Sequence, residues 1–102
     1  MEVISEKDFQ KTIEKGLVFV DFFATWCAPC RMMGMILEEV EEELGDSVKI
    51  IKVDVDKDEK LARSFGIMSI PTTILFRDGK EVDKHIGLMQ KERVIELINE
   101  NM

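Results

Sequence analysis

Leu17-Val18-Phe19-Val20-Asp21-Phe22-Phe23 is followed, after Ala24-Thr25, by Trp26-Cys27-Ala28-Pro29-Cys30. The first stretch is a run of β-branched and aromatic residues with no polar alternation, the signature of a strand covered on both faces. After it the periodicity turns helical over residues 27–44. Met33, Leu37, Val40 and Leu44 form one apolar stripe, Glu38, Glu39, Glu41, Glu42 and Glu43 supply the wet side, and Gly45 ends the helix. A buried strand thus feeds a helix whose first turn carries the only two cysteines of the chain.

Working outward, Ser5 with Asp8 reads as an N-cap and an acidic third position, opening a short helix that turns Phe9 and Ile13 inward and stops at Gly16. Glu2-Val3-Ile4 is read as an edge strand, residues 48–55 as a second strand, and residues 58–65 as a short helix with Leu61 and Phe65 inward. Pro71 precedes a strand over 72–76, and Asp78-Gly79 is a tight hairpin signal before a return strand over 81–86. After Gly87 a last helix over 90–101 buries Val94, Leu97 and Ile98. The order β-α-β-α-β-α-β-β-α predicts an α/β fold with helices on both sides of a mixed sheet. Helix-separated strands are expected to pair in parallel, and the final hairpin adds an antiparallel pair.

The chain has 102 residues and no internal repeat or linker, which predicts one domain over 1–102. Apolar residues make up 45% and charged residues 34%, a globular composition. Acidic residues outnumber basic ones 21 to 14, for a net charge of −7. That balance argues against nucleic acid and an anionic membrane surface as partners. The longest apolar stretch is too short to span a bilayer and contains Asp21. No basic start followed by an apolar core is present, so the expected compartment is the cytoplasm.

Cysteines at i and i+3 share a helical face and can form a disulfide with little backbone movement. The first lies where amide N–H groups are unpaired and the helix dipole is positive, and both favour thiolate over thiol. Pro29 fits the first turn, where its missing N–H would be an orphan. A structural zinc site would need four ligands and a second cysteine pair, which the chain lacks. A Cu(I) carrier could use Met32, Met33 and Met35, although Met33 belongs to the core stripe. A cysteine hydrolase would need a base, and His85 is the sole histidine, on another element. Dithiol redox chemistry is the reading these residues favour over metal carriage, over hydrolysis and over a redox-silent binding module.

Asp21 is a lone carboxylate on a two-faced buried strand. Desolvation should raise its pKa and leave it poised to exchange protons near neutrality. The alternative is a frayed strand end or a salt bridge with Lys52. Ile70-Pro71 is either an ordinary strand-start proline or a cis bond beside the cysteines. Met68 either packs in the core or offers substrates an adaptable apolar contact.

Taken with Val20-Asp21-Phe22-Phe23-Ala24, Lys52-Val53-Asp54-Val55-Asp56, Phe65-Gly66-Ile67, Ile70-Pro71-Thr72, Phe76-Arg77-Asp78-Gly79 and Gly87, the Trp26–Cys30 motif resembles the thioredoxin family over almost the whole chain. The resemblance implies the thioredoxin fold, a central mixed sheet of five strands flanked by four helices. It implies an exposed attacking thiol at Cys27, a shielded resolving thiol at Cys30, a buried proton acceptor at Asp21 tuned by Lys52, and a cis-proline at Pro71. Trp26, Ala28, Pro29, Ile70, Pro71 and Gly87 are the expected substrate-binding set. The implied activity is protein-disulfide reduction by a monomer, with thioredoxin reductase and disulfide-containing proteins as partners. No metal and no cofactor are expected beyond the Cys27–Cys30 disulfide. Departures from the family pattern are Ala28 for the usual Gly, Arg31 for Lys, Phe23 for Trp, Ser69 for Gly, and Met35 for a helix-kinking proline. Met35 lies off the Met33 stripe, which predicts an exposed edge.

Overall fold

The computed structural model describes residues 1–102. Its elements are β1 (Glu2–Val3), α1 (Glu6–Ile13), β2 (Leu17–Phe23), α2 (Ala28–Leu44), a 3-10 turn (Gly45–Ser47), β3 (Lys49–Asp54), α3 (Glu59–Ser64), β4 (Thr72–Arg77), β5 (Lys80–Ile86) and α4 (Lys91–Glu100). The five strands form one sheet in the order β1-β3-β2-β4-β5. The continuous apolar run becomes the central strand, β2, with its five inner residues buried on both faces. Alternation along it separates two cores. Phe19 joins Met33, Leu37, Val40, Ile50, Leu75, Val94, Leu97 and Ile98 beneath α2 and α4. Val18, Val20 and Phe22 join Phe9, Ile13, Leu61, Ile74 and Phe76 beneath α1 and α3. On that second side Phe65 sits 5.3 Å from Phe9 and 5.7 Å from Phe76, centroid to centroid, within the range of favourable aromatic pairs.

One pairing differs from expectation. β3 is parallel to β1 and β2, but β4 runs antiparallel to β2 although α3 precedes it. The reason is length. A crossover must return the chain to the strand's starting end; α2, with 17 residues, spans about 25 Å and does so. α3 has six residues, about 9 Å, against about 20 Å for a six-residue strand. It reaches only mid-sheet, where Phe65 O accepts from Lys84 Nζ, and Lys84 is paired with Ile74. The chain then turns back, and Thr72 starts β4 opposite Phe22, at the end where β2 finishes. This reversal places Pro71 next to the cysteines.

The hairpin signal is met: Asp78 (φ 49°) and Gly79 (φ 82°) form the two-residue turn between Arg77 and Lys80, both in the left-handed region that such turns require. The α1 boundaries differ in detail. Ser5 occupies the N-cap, but its hydroxyl makes no capping bond; Glu6 N–H donates to Asp58 Oδ1 instead. The helix ends at Ile13, before Gly16. Gly16 serves the hairpin, donating N–H to Asp78 Oδ1 at 2.8 Å and accepting from Asp78 N at 2.9 Å. No helix is long and apolar enough to cross a membrane.

Candidate active site

The end of β2, the start of α2 and the loop before β4 meet at one edge of the sheet. Cys27 is the N-cap of α2 and Cys30 lies in its first turn. The two are joined by a disulfide with Cα atoms 5.2 Å apart. Pro29 sits where no N–H is needed. The Cys30 amide donates to Cys27 Sγ at 3.2 Å, so the sulfur takes the place of a capping oxygen. An amide N–H aimed at this sulfur from the positive end of a 17-residue helix stabilises negative charge on it.

In the disulfide form both cysteine residues are nearly covered, Cys27 slightly less than Cys30. Cys27 is 5% exposed and Cys30 2%. The cause is the capping geometry, which folds the Cys27 side chain back over the helix end, where Ala24, Phe23, Val55 and Ile70 pack around both residues. Ala28 and Pro29 are exposed beside them, and Trp26 stands out from the surface, its indole N–H donating to Asp56 Oδ2 at 2.7 Å.

The Ile70–Pro71 peptide is cis. Cys27 Sγ lies 4.0 Å from Ile70 O, and Pro71 O accepts from Gly87 N at 2.8 Å. Ile70 precedes β4 and its backbone takes no part in the sheet ladder. Met68 is 97% exposed, so it is not core. With Trp26, Val55, Ile67, Ser69 and Ile70 it lines a mostly apolar groove of about 210 Å³ beside the disulfide. Met35 is exposed, as its offset predicted, whereas Met33 is buried and its sulfur accepts from Met89 N at 3.4 Å, a packing role.

Asp21 is fully buried and faces the α2 layer. Lys52 stands directly beside it in the parallel register, yet neither carboxyl oxygen has a hydrogen-bond partner, so the salt-bridge alternative is not realised. Lys52 Nζ instead lies 4.2 Å over the Phe23 ring, where a cation is attracted to the π face. A Cβ at Gly34 would sit 3.5 Å from that ammonium, an ordinary contact distance, so α2 passes directly over Lys52 at this residue. Cys30 is one turn earlier on the same buried face of α2. Burial pushes the Asp21 pKa up to about 7, against the smaller opposing effect of the Lys52 charge.

This shift has a consequence for stability. Asp21 holds its proton in the folded state up to about pH 7, whereas in the unfolded chain it ionises near 3.8. The native state therefore binds more protons between those values. Its stabilising contribution is complete below about pH 4 and is lost as pH rises to about 7. At about 1.4 kcal/mol per pKa unit the loss approaches about 4 kcal/mol. Asp21→Asn should thus gain stability relative to the parent on going from pH 4 to pH 8. Urea unfolding at the two pH values checks this; a difference between the proteins that does not change with pH would contradict it.

Cys27, Cys30, Asp21, Lys52, Trp26 and the 70–71 pair, all legible in the sequence, are brought together by the fold. Asp56, whose indole contact spans 30 positions, and the groove walls Val55 and Ile67 carry no local sequence signal of their place. Neither does Thr73, opposite Asp21 on β4.

The thioredoxin family model matches residues 1–100. A thioredoxin of Listeria monocytogenes is 47% identical over 96 residues, covering 94% of this chain and 93% of its own. One of Chlamydia caviae is 48% identical over 101 residues, covering 99% and 98%. Among solved structures, a mutant thioredoxin from Halobacterium salinarum superposes with a TM-score of 0.88 at 31% identity, covering 98% of this chain and 88% of that one.

Proposed function

Because this chain belongs to the thioredoxin family of protein-disulfide oxidoreductases, we propose that it is a general disulfide reductase that cycles between a Cys27–Cys30 dithiol and disulfide. The observation that carries this reading is the Cys30 N–H aimed at Cys27 Sγ at the head of α2. In the reduced protein that donor and the helix dipole favour the Cys27 thiolate.

The thiolate attacks one sulfur of a substrate disulfide. A Cys27–substrate disulfide forms, and the other substrate sulfur leaves as a thiolate. Asp21, in the fraction that is ionised near pH 7, takes the proton of Cys30, directly or through water, with the Lys52 charge opposing the effect of burial. The Cys30 thiolate then attacks Cys27 Sγ and expels the second substrate sulfur. The substrate has gained two electrons and the protein has become the disulfide. Thioredoxin reductase returns the electrons, and the dithiol pair needs no further cofactor or metal.

Substrates bind as extended segments along the free backbone of Ile70, in the manner of an added strand. Trp26, Ala28, Pro29, Pro71 and Gly87 border the segment, and Met68 supplies an unbranched, adaptable apolar wall. Residues 1–102 act as one domain and as a monomer. Reduction as the direction of flux fits the cytoplasm, whose thiol pools keep proteins reduced.

The test is insulin reduction with substoichiometric protein, NADPH and a thioredoxin reductase. Many turnovers per molecule are expected; fewer than one would leave a non-cycling binding module, the rival reading. In the same assay Asp21→Asn should slow turnover near pH 7 on the order of tenfold, less than for an obligatory base because solvent can substitute. A pH–rate profile identical to the parent's would remove Asp21 from the mechanism.

A further inference from the structure

One row of directly opposed residues across the sheet is polar. Lys52 on β3 pairs with Asp21 on β2, Asp21 with Thr73 on β4, and Thr73 with His85 on β5. Directly opposed residues share a face of the sheet. Their neighbours two positions away, Phe19, Ile50 and Leu75, belong to the core beneath α2 and α4, so the row faces that layer. Its two central members are sealed from solvent, Asp21 fully and Thr73 to within 1%. Both Asp21 carboxyl oxygens and Thr73 Oγ1 are buried without a hydrogen-bond partner. The other buried hydroxyl is paired: Thr72 Oγ1 donates to Ser69 O at 2.7 Å. A desolvated hydroxyl and a desolvated carboxyl lie side by side, each lacking what the other supplies. Opposed Cβ atoms in an antiparallel pair are about 4.5–5.5 Å apart, so rotation about χ1 to another staggered position brings donor and acceptor into reach.

We propose that Thr73 is a positioning residue for Asp21: its hydroxyl donates to the ionised carboxylate and sets how readily that acid takes the Cys30 proton. The bond itself stands on the register and burial; its effect on turnover rests on the proposed role of Asp21 as proton acceptor. The other groups facing Asp21 are few. Lys52 approaches from β3, and α2 contributes Cys30 and then Gly34. Asp54, two positions beyond Lys52, is turned to its own loop and accepts from Asp56 N and Lys57 N. His85 lies beyond Thr73 with Nε2 3.2 Å from Leu88 O. The α4 side chains in this layer, Val94, Leu97 and Ile98, are apolar.

A donor to the carboxylate favours the charged form and holds its titration midpoint below the value that burial alone would set. Thr73→Val keeps the shape and removes the donor. Carboxyl carbon NMR titration of Asp21 in the disulfide form, where the cysteines do not titrate, should show the midpoint rising by about half to one pH unit in Thr73→Val. Thr73→Ser should return it towards the parent value, and Thr73→Ala, which adds no apolar volume, should behave as the valine variant does. An unchanged midpoint in the folded valine or alanine variant overturns the proposal. The pH–rate profile of insulin reduction in the same variants separates the two levels. A midpoint that moves while the profile stays put keeps the Thr73–Asp21 bond and refutes Asp21 as the acceptor.

Discussion

Cys27→Ser is expected to reduce insulin no faster than the dithiothreitol present in the assay. The serine hydroxyl fills the N-cap position and accepts from the Cys30 amide as well as sulfur does, so α2 and the fold remain. What is lost is the nucleophile: the hydroxyl stays protonated at neutral pH and cannot form the mixed disulfide. Because the first step of the cycle disappears, the loss is complete rather than partial. Turbidity of precipitating insulin chains reads it directly, with circular dichroism as the check on folding. Residual catalysis above the reductant background would reassign the attacking sulfur to Cys30.

Cys30→Ser has the opposite signature. Cys27 still attacks, but the mixed disulfide is no longer resolved from within, so turnover stops with the substrate attached. Incubation with a disulfide-containing protein should give a covalent adduct on non-reducing gels that dithiothreitol releases. The parent protein should give almost none, because its Cys30 is held one helical turn from Cys27 and reaches the bond intramolecularly. Equal trapping by the two proteins, or none by the variant, would contradict the resolving role of Cys30.

Much of this arrangement was legible in the chain because it depends on local patterns. The unbroken apolar run at 17–23 specifies a strand buried on both faces, and Asp21 within it has no inexpensive structural explanation, so its raised pKa follows from burial alone. The Asp78-Gly79 turn and the helix after Cys27 are likewise short-range decisions. The rest depends on distances along the chain or across the sheet. β4 was expected to be parallel because a helix precedes it, but a six-residue helix does not cross the sheet. The near burial of Cys27 depends on side-chain direction at the cap, and the full exposure of Met68 depends on where the loop after α3 turns; composition reports neither. The cis bond before Pro71 is a minority state for any X–Pro pair, so only the family resemblance predicted it. Thr73 and Asp56 become informative only once the strand registers put Thr73 beside Asp21 and bring the segment after β3 to Trp26.

The whole account depends on an anionic sulfur at the head of α2. The rate of iodoacetamide alkylation of the reduced protein, followed across pH with the modified residue identified by mass spectrometry, tests it most directly. Cys27 should be alkylated first, with a midpoint at least one unit below the ordinary cysteine value of about 8.5. A Cys27 profile that coincides with that of cysteine in an unstructured peptide would contradict it.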